Sequence, residues 1–255
     1  MNFGLYFVNS VKFTYQTFFG EWNRGSHFIA LGVALGIISL LNPESVSSQS
    51  IQGQFYRLTW LKFVGLWFFI NLFFIGYEIR ILRGGDTPPD FKYIGCLVKD
   101  GIVSTIITCV WIIPLFLICL AFARFIPTFH NVIVAVFFMV LIILLIPMIL
   151  VSQFIFARTG SFWYAFRVSR IRVVTDNLGL KRFSFTYLVG VVIFLIFMYF
   201  DEILFRVVPP VISGDIFLAL HSIFISYLIL VFGVLYDKFL TTVFENAGVP
   251  FSAET

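Results

Sequence analysis

Charged side chains are scarce in this sequence. Only 12% of its 255 residues are Asp, Glu, Lys or Arg, whereas 60% are hydrophobic and the mean hydropathy is +1.00. A soluble globular domain carries about a quarter charged residues, with which it keeps its surface compatible with water. The scarcity of charge excludes an ordinary soluble domain, and the long apolar runs predict an all-α, polytopic integral membrane protein.

Groups that could perform covalent or metal chemistry are also few. Two of the three cysteines, Cys109 and Cys119, lie ten positions apart on one predicted helix, which places them about 15 Å apart and beyond the reach of a disulfide. The sequence has no Ser-His-Asp, Cys-His, metal-ligand or phosphate-loop pattern. We therefore expect no enzymatic activity, no cofactor and no metal, although cation binding by carboxylates on the outer side stays an open alternative. Membrane lipid and other proteins are the expected partners, and nucleic acid is not.

Six apolar segments follow one another along the chain. A helix needs about 20 residues to cross about 30 Å of hydrocarbon, and five of the segments approach that length. The first is short, so it either begins earlier, near Trp22, or forms a re-entrant hairpin. The segments are, approximately, Phe28–Leu41, Leu58–Ile79, Ile102–Phe122, Val132–Phe156, Phe183–Phe200 and Ile216–Tyr236.

The basic residues are distributed unequally between alternate connections. The terminal segments and the second and fourth connections hold most of the Lys and Arg, while the odd-numbered connections hold few. Cytoplasmic loops carry such an excess of positive charge. The pattern predicts six transmembrane helices in the cell membrane, with the N-terminus and the C-terminus both cytoplasmic.

A weak threefold repeat accompanies this topology. Phe-x-Tyr occurs at Phe13, Phe91 and Phe162, in each case before an outward-going helix, and a polar corner with glycine follows each time, as in Lys99-Asp100-Gly101. Membrane folds often contain internal repeats. We interpret residues 1–255 as a single transmembrane domain of three helical hairpins, each preceded by a cytoplasmic interfacial segment rich in aromatic and basic residues. The repeats cover about residues 13–79, 91–156 and 162–236.

The third of these segments, Phe162 to Asn177, is the most basic. Arg167 and Arg170 share one helical face, because residues three apart are neighbours on a helix. Basic side chains beside aromatic ones are typical of helices at the lipid headgroup level. A face that binds a partner protein is the alternative.

The loop after the second apolar segment combines features that end a helix. Arg80 and Arg83 suit a helix C-terminus facing anionic headgroups, and Gly84-Gly85 suits the stop itself. Pro88-Pro89 forbids a continuous helix, and Asp90 could cap a helix that starts at Phe91. If Arg80 and Arg83 bind a carboxylate within the protein, Asp100 is the expected one, and coupling is expected between Arg80 and Asp100. Pairing of Asp100 with Lys99 or with the arginines of a neighbouring repeat is the alternative. These features favour an architectural role for the loop over catalysis.

The same stretch resembles a known family. The motif consists of a helix ending in Gly-Tyr-x-x-Arg, a short Arg-Gly-Gly-Asp linker, Pro-x-Phe, and Lys-Asp-Gly at the next helix. It resembles the prokaryotic, largely archaeal, membrane proteins grouped as domain of unknown function 4013. The resemblance implies a multi-pass fold and carries no activity with it. The matching residues are Gly76, Tyr77, Arg80, Arg83, Gly84, Gly85, Asp86, Pro89, Asp90, Phe91, Lys99, Asp100 and Gly101.

A few polar and helix-kinking residues fall within the apolar segments. Asn71 lies near the centre of the second segment and Gln153 toward the cytoplasmic end of the fourth; both could hydrogen-bond between helices. Pro114 and Pro147 are expected to kink the third and fourth helices at mid-length. No acidic or basic residue is predicted at the middle of the membrane.

These patterns lead to two functional hypotheses. The first is a non-catalytic membrane component, a subunit or scaffold that binds partner proteins or organises lipid at the cytoplasmic face. The alternative is a passive or lipid-type transporter or channel that uses the proline-kinked helices.

Overall fold

The computed structural model describes residues 3–40, 53–91, 93–125, 145–207 and 214–247. Every regular element in these ranges is helical, and they contain no strand, so the all-helical prediction is confirmed for this part of the chain. The helices are α1 (Phe3–Tyr15, continued by a π-helical turn Gln16–Gly20), α2 (Trp22–Leu40), α3 (Gly53–Leu82), α4 (Ile94–Phe125), α5 (Ile146–Thr159), α6 (Val168–Leu178, after a 3₁₀ turn Trp163–Phe166), α7 (Leu180–Val207) and α8 (Gly214–Glu245).

Two helices in the described part are long and apolar enough to cross a membrane. They are Ile94–Ile118 within α4 and His221–Glu245 within α8, with mean hydropathies of 2.4 and 1.9. Only 17% of the first window and 33% of the second is buried inside the protein. A core helix of a soluble protein would be mostly buried, so these two helices indicate membrane association.

Several helix boundaries differ from those predicted from the sequence. The first apolar segment begins at Trp22, the earlier of the two starts considered, and most of the predicted loop Asn42–Gln54 lies outside the described residues. The prediction that Lys99-Asp100-Gly101 forms a corner before the third helix is wrong, because α4 already begins at Ile94 and contains all three residues. The sixth helix does not end at Tyr236 but continues to Glu245.

The helices on either side of the loop pack closely. α3 and α4 are antiparallel, with Gly76 beside Leu97 and Leu72 beside Gly101. A Cβ atom added to either glycine would overlap the facing backbone carbonyl oxygen. Glycine is therefore required on both helices for this approach, because any side chain would force the backbones apart.

α3 and α8 run parallel to each other. Phe74 contacts α8 at Gly233, and seven residues later the Ile81 carbonyl accepts a hydrogen bond from Thr241 of α8 at 3.3 Å. The two helices thus advance together in the same direction. α8 is the central helix, since α1, α2, α3 and α7 all pack on it.

Two buried clusters surround α8. In one, Phe154 of α5 packs on Phe244 of α8, with ring centroids 4.2 Å apart, and Ile171 of α6 lies in the same cluster. In the other, Phe28 of α2 and Tyr77 of α3 pack beside Val234. The second cluster continues directly into the loop between α3 and α4.

α1 has its apolar and polar faces reversed relative to a soluble helix. Ser10, Thr14 and Thr17 are buried, and each hydroxyl donates to the backbone carbonyl four residues earlier at 2.8–2.9 Å. Phe13 and Phe18 are buried beside them, whereas most of the other large apolar residues are exposed; these are Leu5, Phe7, Val8, Val11, Tyr15 and Phe19. Such a face is stable only where it meets a non-aqueous environment.

The two prolines occupy different positions. Pro114 lies inside α4, as predicted. Pro147 is the second residue of α5, so it does not interrupt the helix as described. A proline in the first turn of a helix removes no intrahelical hydrogen bond. The expected position of Pro147 in the middle of a longer helix depends on residues 126–144, outside the described residues.

Candidate functional site

The loop Arg83–Tyr93 begins where two glycines end α3. Gly84 and Gly85 have φ angles of 88° and 132°, which L-residues with side chains rarely adopt. Gly84 also lies against the side chains of Arg158 and Glu245, where a Cβ would not fit. The predicted helix stop is confirmed, and its first glycine also makes room for an ion pair between α5 and α8.

Arg80 and Arg83 bind different parts of the loop and of α4. Arg80 donates to the backbone carbonyls of Asp90 at 2.9 Å and Tyr93 at 3.1 Å. Arg83 instead reaches the Asp100 carboxylate, with Nη2 2.7 Å from Oδ1. The expected Arg80–Asp100 pair is therefore wrong: Asp100 is in the second turn of α4, where Arg83 reaches it.

Arg24, at the start of α2, holds the proline part of the loop. Its guanidinium forms a salt bridge with Glu21 at 2.5 Å and donates to the Pro88 carbonyl at 3.1 Å. Its Nε lies 3.8 Å from Asp90 Oδ1. The hydrogen bond to Glu21 raises the pKa of Arg24 above its ordinary value. Asp90 does not cap a helix starting at Phe91, because α4 begins three residues later.

Lys238 of α8 holds the glycine part of the loop. Its ammonium donates to the Gly85 carbonyl at 2.5 Å and lies 4.7 Å from the centre of the Phe13 ring. Asp86, the next residue of the loop, is exposed. A lysine that is 7% exposed and bound in this way joins α1, α8 and the loop.

Phe91 anchors the loop in an aromatic cluster. Its ring stacks on Tyr77 at 4.9 Å with an interplanar angle of 14°, and on His27 at 5.2 Å with an angle of 8°. Phe28 meets both Phe91 and Tyr77 edge to face. Aromatic pairs of these kinds add about 0.5–1.5 kcal/mol beyond the area they bury. The loop is therefore fixed by ring packing as well as by its polar contacts.

Polar side chains also join α4 to α5. Gln153 donates to Ser104 at 3.0 Å and to Thr108 at 3.2 Å, and Trp111 donates to Ser152 at 3.1 Å. Interhelical hydrogen bonds of this type stabilise membrane helices by about 0.6 kcal/mol each. Gln153 therefore makes hydrogen bonds between helices, as expected from the sequence.

The other predicted residues lie in α3, in the loop, in α4 and around α6. Arg167 is the extended residue before α6, so the prediction that it shares a helical face with Arg170 is wrong. Both arginines nevertheless cover the Tyr164 ring, at 4.5 and 5.8 Å from its centre. Lys99 is exposed on α4, and Pro89 is half-buried in the loop. Asn71 is half-buried in α3, six residues before the Tyr77 of the aromatic cluster.

Sequence reasoning missed the environment of three charged residues. Asp237 and Lys238 are buried although they were predicted to follow the last helix, and the half-buried Glu78 lies against α8. The spacing of Gly233, Asp237 and Thr241 could have indicated that the last helix extends beyond Tyr236. These residues recur every four positions and therefore lie on one helical face.

As a whole, these contacts fix the loop against several helices. Arg24, Arg80, Arg83 and Lys238 connect the loop with α1, α2, α4 and α8 through groups that are already engaged with protein atoms. Among the described residues, no group of three or more His, Cys, Asp or Glu could hold a metal ion. The loop Arg83–Tyr93 and its contacts close one end of the helix bundle.

Comparison with known proteins identifies a family. Searches of curated proteins and of solved structures found no match to this chain. The model of the family described as "Protein of unknown function (DUF4013)" matches residues 63–206, which is more than half of the 255 residues. The match includes α4 and the entire loop. The chain therefore belongs to the DUF4013 family.

Proposed function

We propose that this protein is a six-span, non-catalytic membrane component of the cell membrane that holds anionic lipid headgroups at its cytoplasmic face. The carrying observation is the segment around α6, which combines exposed aromatic and apolar side chains with arginines. Trp163 is 77% exposed and Val168 is 70% exposed, while Arg167 and Arg170 flank Tyr164. Headgroup-level helices combine apolar insertion with basic contacts in this way.

Exposed apolar surfaces support the membrane location. Large hydrophobic residues cover the outside of α4 with exposed fractions of 42–58%, far more apolar surface than water would tolerate on one helix. The reversed face of α1 adds to this surface. The α4 residues are Ile102, Ile106, Val110, Ile113, Phe116, Leu117, Ile118 and Leu120.

Helix directions support the proposed topology. α3 and α8 are the returning helices of the first and third predicted hairpins, and they run parallel. α3 and α4 would cross in opposite senses, and they pack antiparallel. Both relations agree with cytoplasmic termini and with a cytoplasmic loop Arg83–Tyr93.

The lipid proposal is tested by purifying the protein in mild detergent and quantifying the anionic phospholipid that remains bound, by native mass spectrometry. We expect Arg167→Gln/Arg170→Gln to retain at least about threefold less anionic lipid than the wild type, since each basic contact contributes about 1 kcal/mol. Arg124→Gln is the matched control, because this exposed arginine is at the opposite end of α4. Equal retention by the double variant and the wild type would contradict the proposal.

The scaffold and transport alternatives give different results in native membranes. A stoichiometric protein that co-purifies without crosslinking would support a scaffold or subunit role. A protein that purifies alone and moves solute or lipid across liposomes would instead support a passive transporter. The internal position of Pro114 in α4 is the observation that favours the latter.

A further inference from the structure

Two acidic side chains lie at the interface of α3 and α8. A Cβ at Gly233 of α8 would be only 3.0 Å from Glu78 Oε1, so the Glu78 carboxylate lies against α8 at this glycine. Asp237 follows Gly233 by one turn on the same helical face, and its carboxylate is therefore on the side of α8 that Glu78 approaches. The absence of a side chain at Gly233 makes room for the Glu78 carboxylate on this face.

Asp237 supplies a second, independent observation. Its residue is 8% exposed, and its Oδ2 atom is buried without a hydrogen-bond partner. A buried carboxylate oxygen without a partner loses the several kcal/mol that hydration would give it. A proton or a cation bound to such an oxygen would recover part of this energy.

The charged groups around the pair do not neutralise it. Lys238 points to Gly85 and Phe13, Arg80 binds loop carbonyls, and Arg24 binds Glu21 and Pro88. Arg158 of α5 is paired with Glu245. Besides Lys238, the titratable groups adjoining the pair in sequence are the phenols of Tyr77 and Tyr236, which are uncharged near neutral pH.

The number of donors decides between a metal ion and a proton. Mg²⁺ or Ca²⁺ requires about six or more oxygen ligands, and no group of three metal-binding side chains occurs among the described residues. A proton requires only two oxygens. Two neighbouring carboxylates at a buried helix interface can share one proton, because ionising both would place two negative charges side by side.

We propose that Glu78 and Asp237 form a protonation site between α3 and α8, in which the two carboxylates share one proton at neutral pH. The site is distinct from the lipid-binding surface around α6, since it involves other helices and a different ligand. Because the site lies between α3 and α8, the stability of their contact depends on the pH of the compartment from which the proton enters.

Infrared spectroscopy tests the proposal on the full-length protein in lipid nanodiscs. At neutral pH we expect the carbonyl stretch of a protonated carboxylic acid in the wild type, and its loss in Glu78→Gln/Asp237→Asn. Asp176→Asn, which removes an exposed carboxylate on α6, is the control and should retain the band. Absence of the band from the folded wild type, or its persistence in the double variant, would overturn the proposal.

Thermal unfolding provides a second readout with a defined sign. In the unfolded chain a carboxylate releases its proton near about pH 4, whereas the folded protein keeps the shared proton to a higher pH. The folded state therefore loses stability as the pH rises from the first value to the second. We expect the wild-type Tm to fall between about pH 5 and pH 9 more steeply than that of the double variant. If Na⁺ or Ca²⁺ at fixed pH raises the wild-type Tm but not the variant's, the ligand is a metal ion and the proposal is wrong. If the double variant does not fold, the wild-type infrared band and cation titration still decide.

Discussion

At the residue scale, the family motif consists of contacts that close the loop Arg83–Tyr93 onto the helices. Arg80 fixes loop carbonyls, Arg83 binds Asp100, and Phe91 stacks on Tyr77. Sequence reasoning identified these residues, but it expected Asp100 to couple with Arg80, whereas Arg83 binds it. Which of two nearby arginines reaches a carboxylate depends on where the next helix begins, and the loop sequence does not reveal that α4 begins at Ile94.

The Arg83–Asp100 ion pair gives a prediction at this scale. In a double-mutant cycle of Arg83→Ala and Asp100→Ala, we expect a coupling of about 1–2 kcal/mol in the unfolding free energy of the detergent-solubilised protein. The expected coupling energy is moderate because water partly screens the pair: the Arg83 side chain is 38% exposed, although that of Asp100 is only 10% exposed.

The control for this cycle is Arg80→Ala with Asp100→Ala. Arg80 binds backbone carbonyls and does not touch Asp100, so these two effects should add. Coupling in the Arg80 cycle and additivity in the Arg83 cycle would show that the pairing described above is incorrect.

At the element scale, glycine determines how α3 and α4 pack. Gly76 and Gly101 appear in the motif beside charged and aromatic residues, and from the sequence alone they were interpreted as parts of helix ends. Their role in helix contact could not be predicted, because it depends on the antiparallel register that brings Gly76 to Leu97 and Gly101 to Leu72. Apolar periodicity does not specify a register between two helices that are hydrophobic on all sides.

We predict that Gly76→Ala destabilises the protein by about 2–3 kcal/mol, because the added methyl group must separate the two backbones. Gly95→Ala is the matched control: this glycine lies in the first turn of α4 with no atom near its would-be Cβ, so alanine should be neutral or stabilising by up to about 1 kcal/mol. Thermal unfolding monitored by size-exclusion chromatography compares the variants. Equal stability of Gly76→Ala and the wild type would contradict the close packing of α3 and α4.

At the scale of the whole molecule, composition predicted the all-helical class, which the described residues confirm. The orientation inferred from the charge distribution stays a prediction. The sequence did not predict that α8 would be central or that it would continue to Glu245. Asp237 and Lys238 were assigned to a tail because charged residues usually mark the end of an apolar helix. They are buried here because α1, α3 and the loop cover this part of α8.

The central claim is that the closed end of the bundle, with its loop, faces the cytoplasm of a membrane-embedded protein. It is tested most directly by labelling single cysteines in sealed cells with an impermeant maleimide. Cys96, exposed in the first turn of α4, is kept in a Cys109→Ser/Cys119→Ala background. Ser47→Cys, in the predicted first outer loop, is introduced separately after Cys96→Ser. We predict that Ser47→Cys is labelled in intact cells and that Cys96 is labelled only after the membrane is opened. Labelling of Cys96 in cells shown to be sealed would contradict the account.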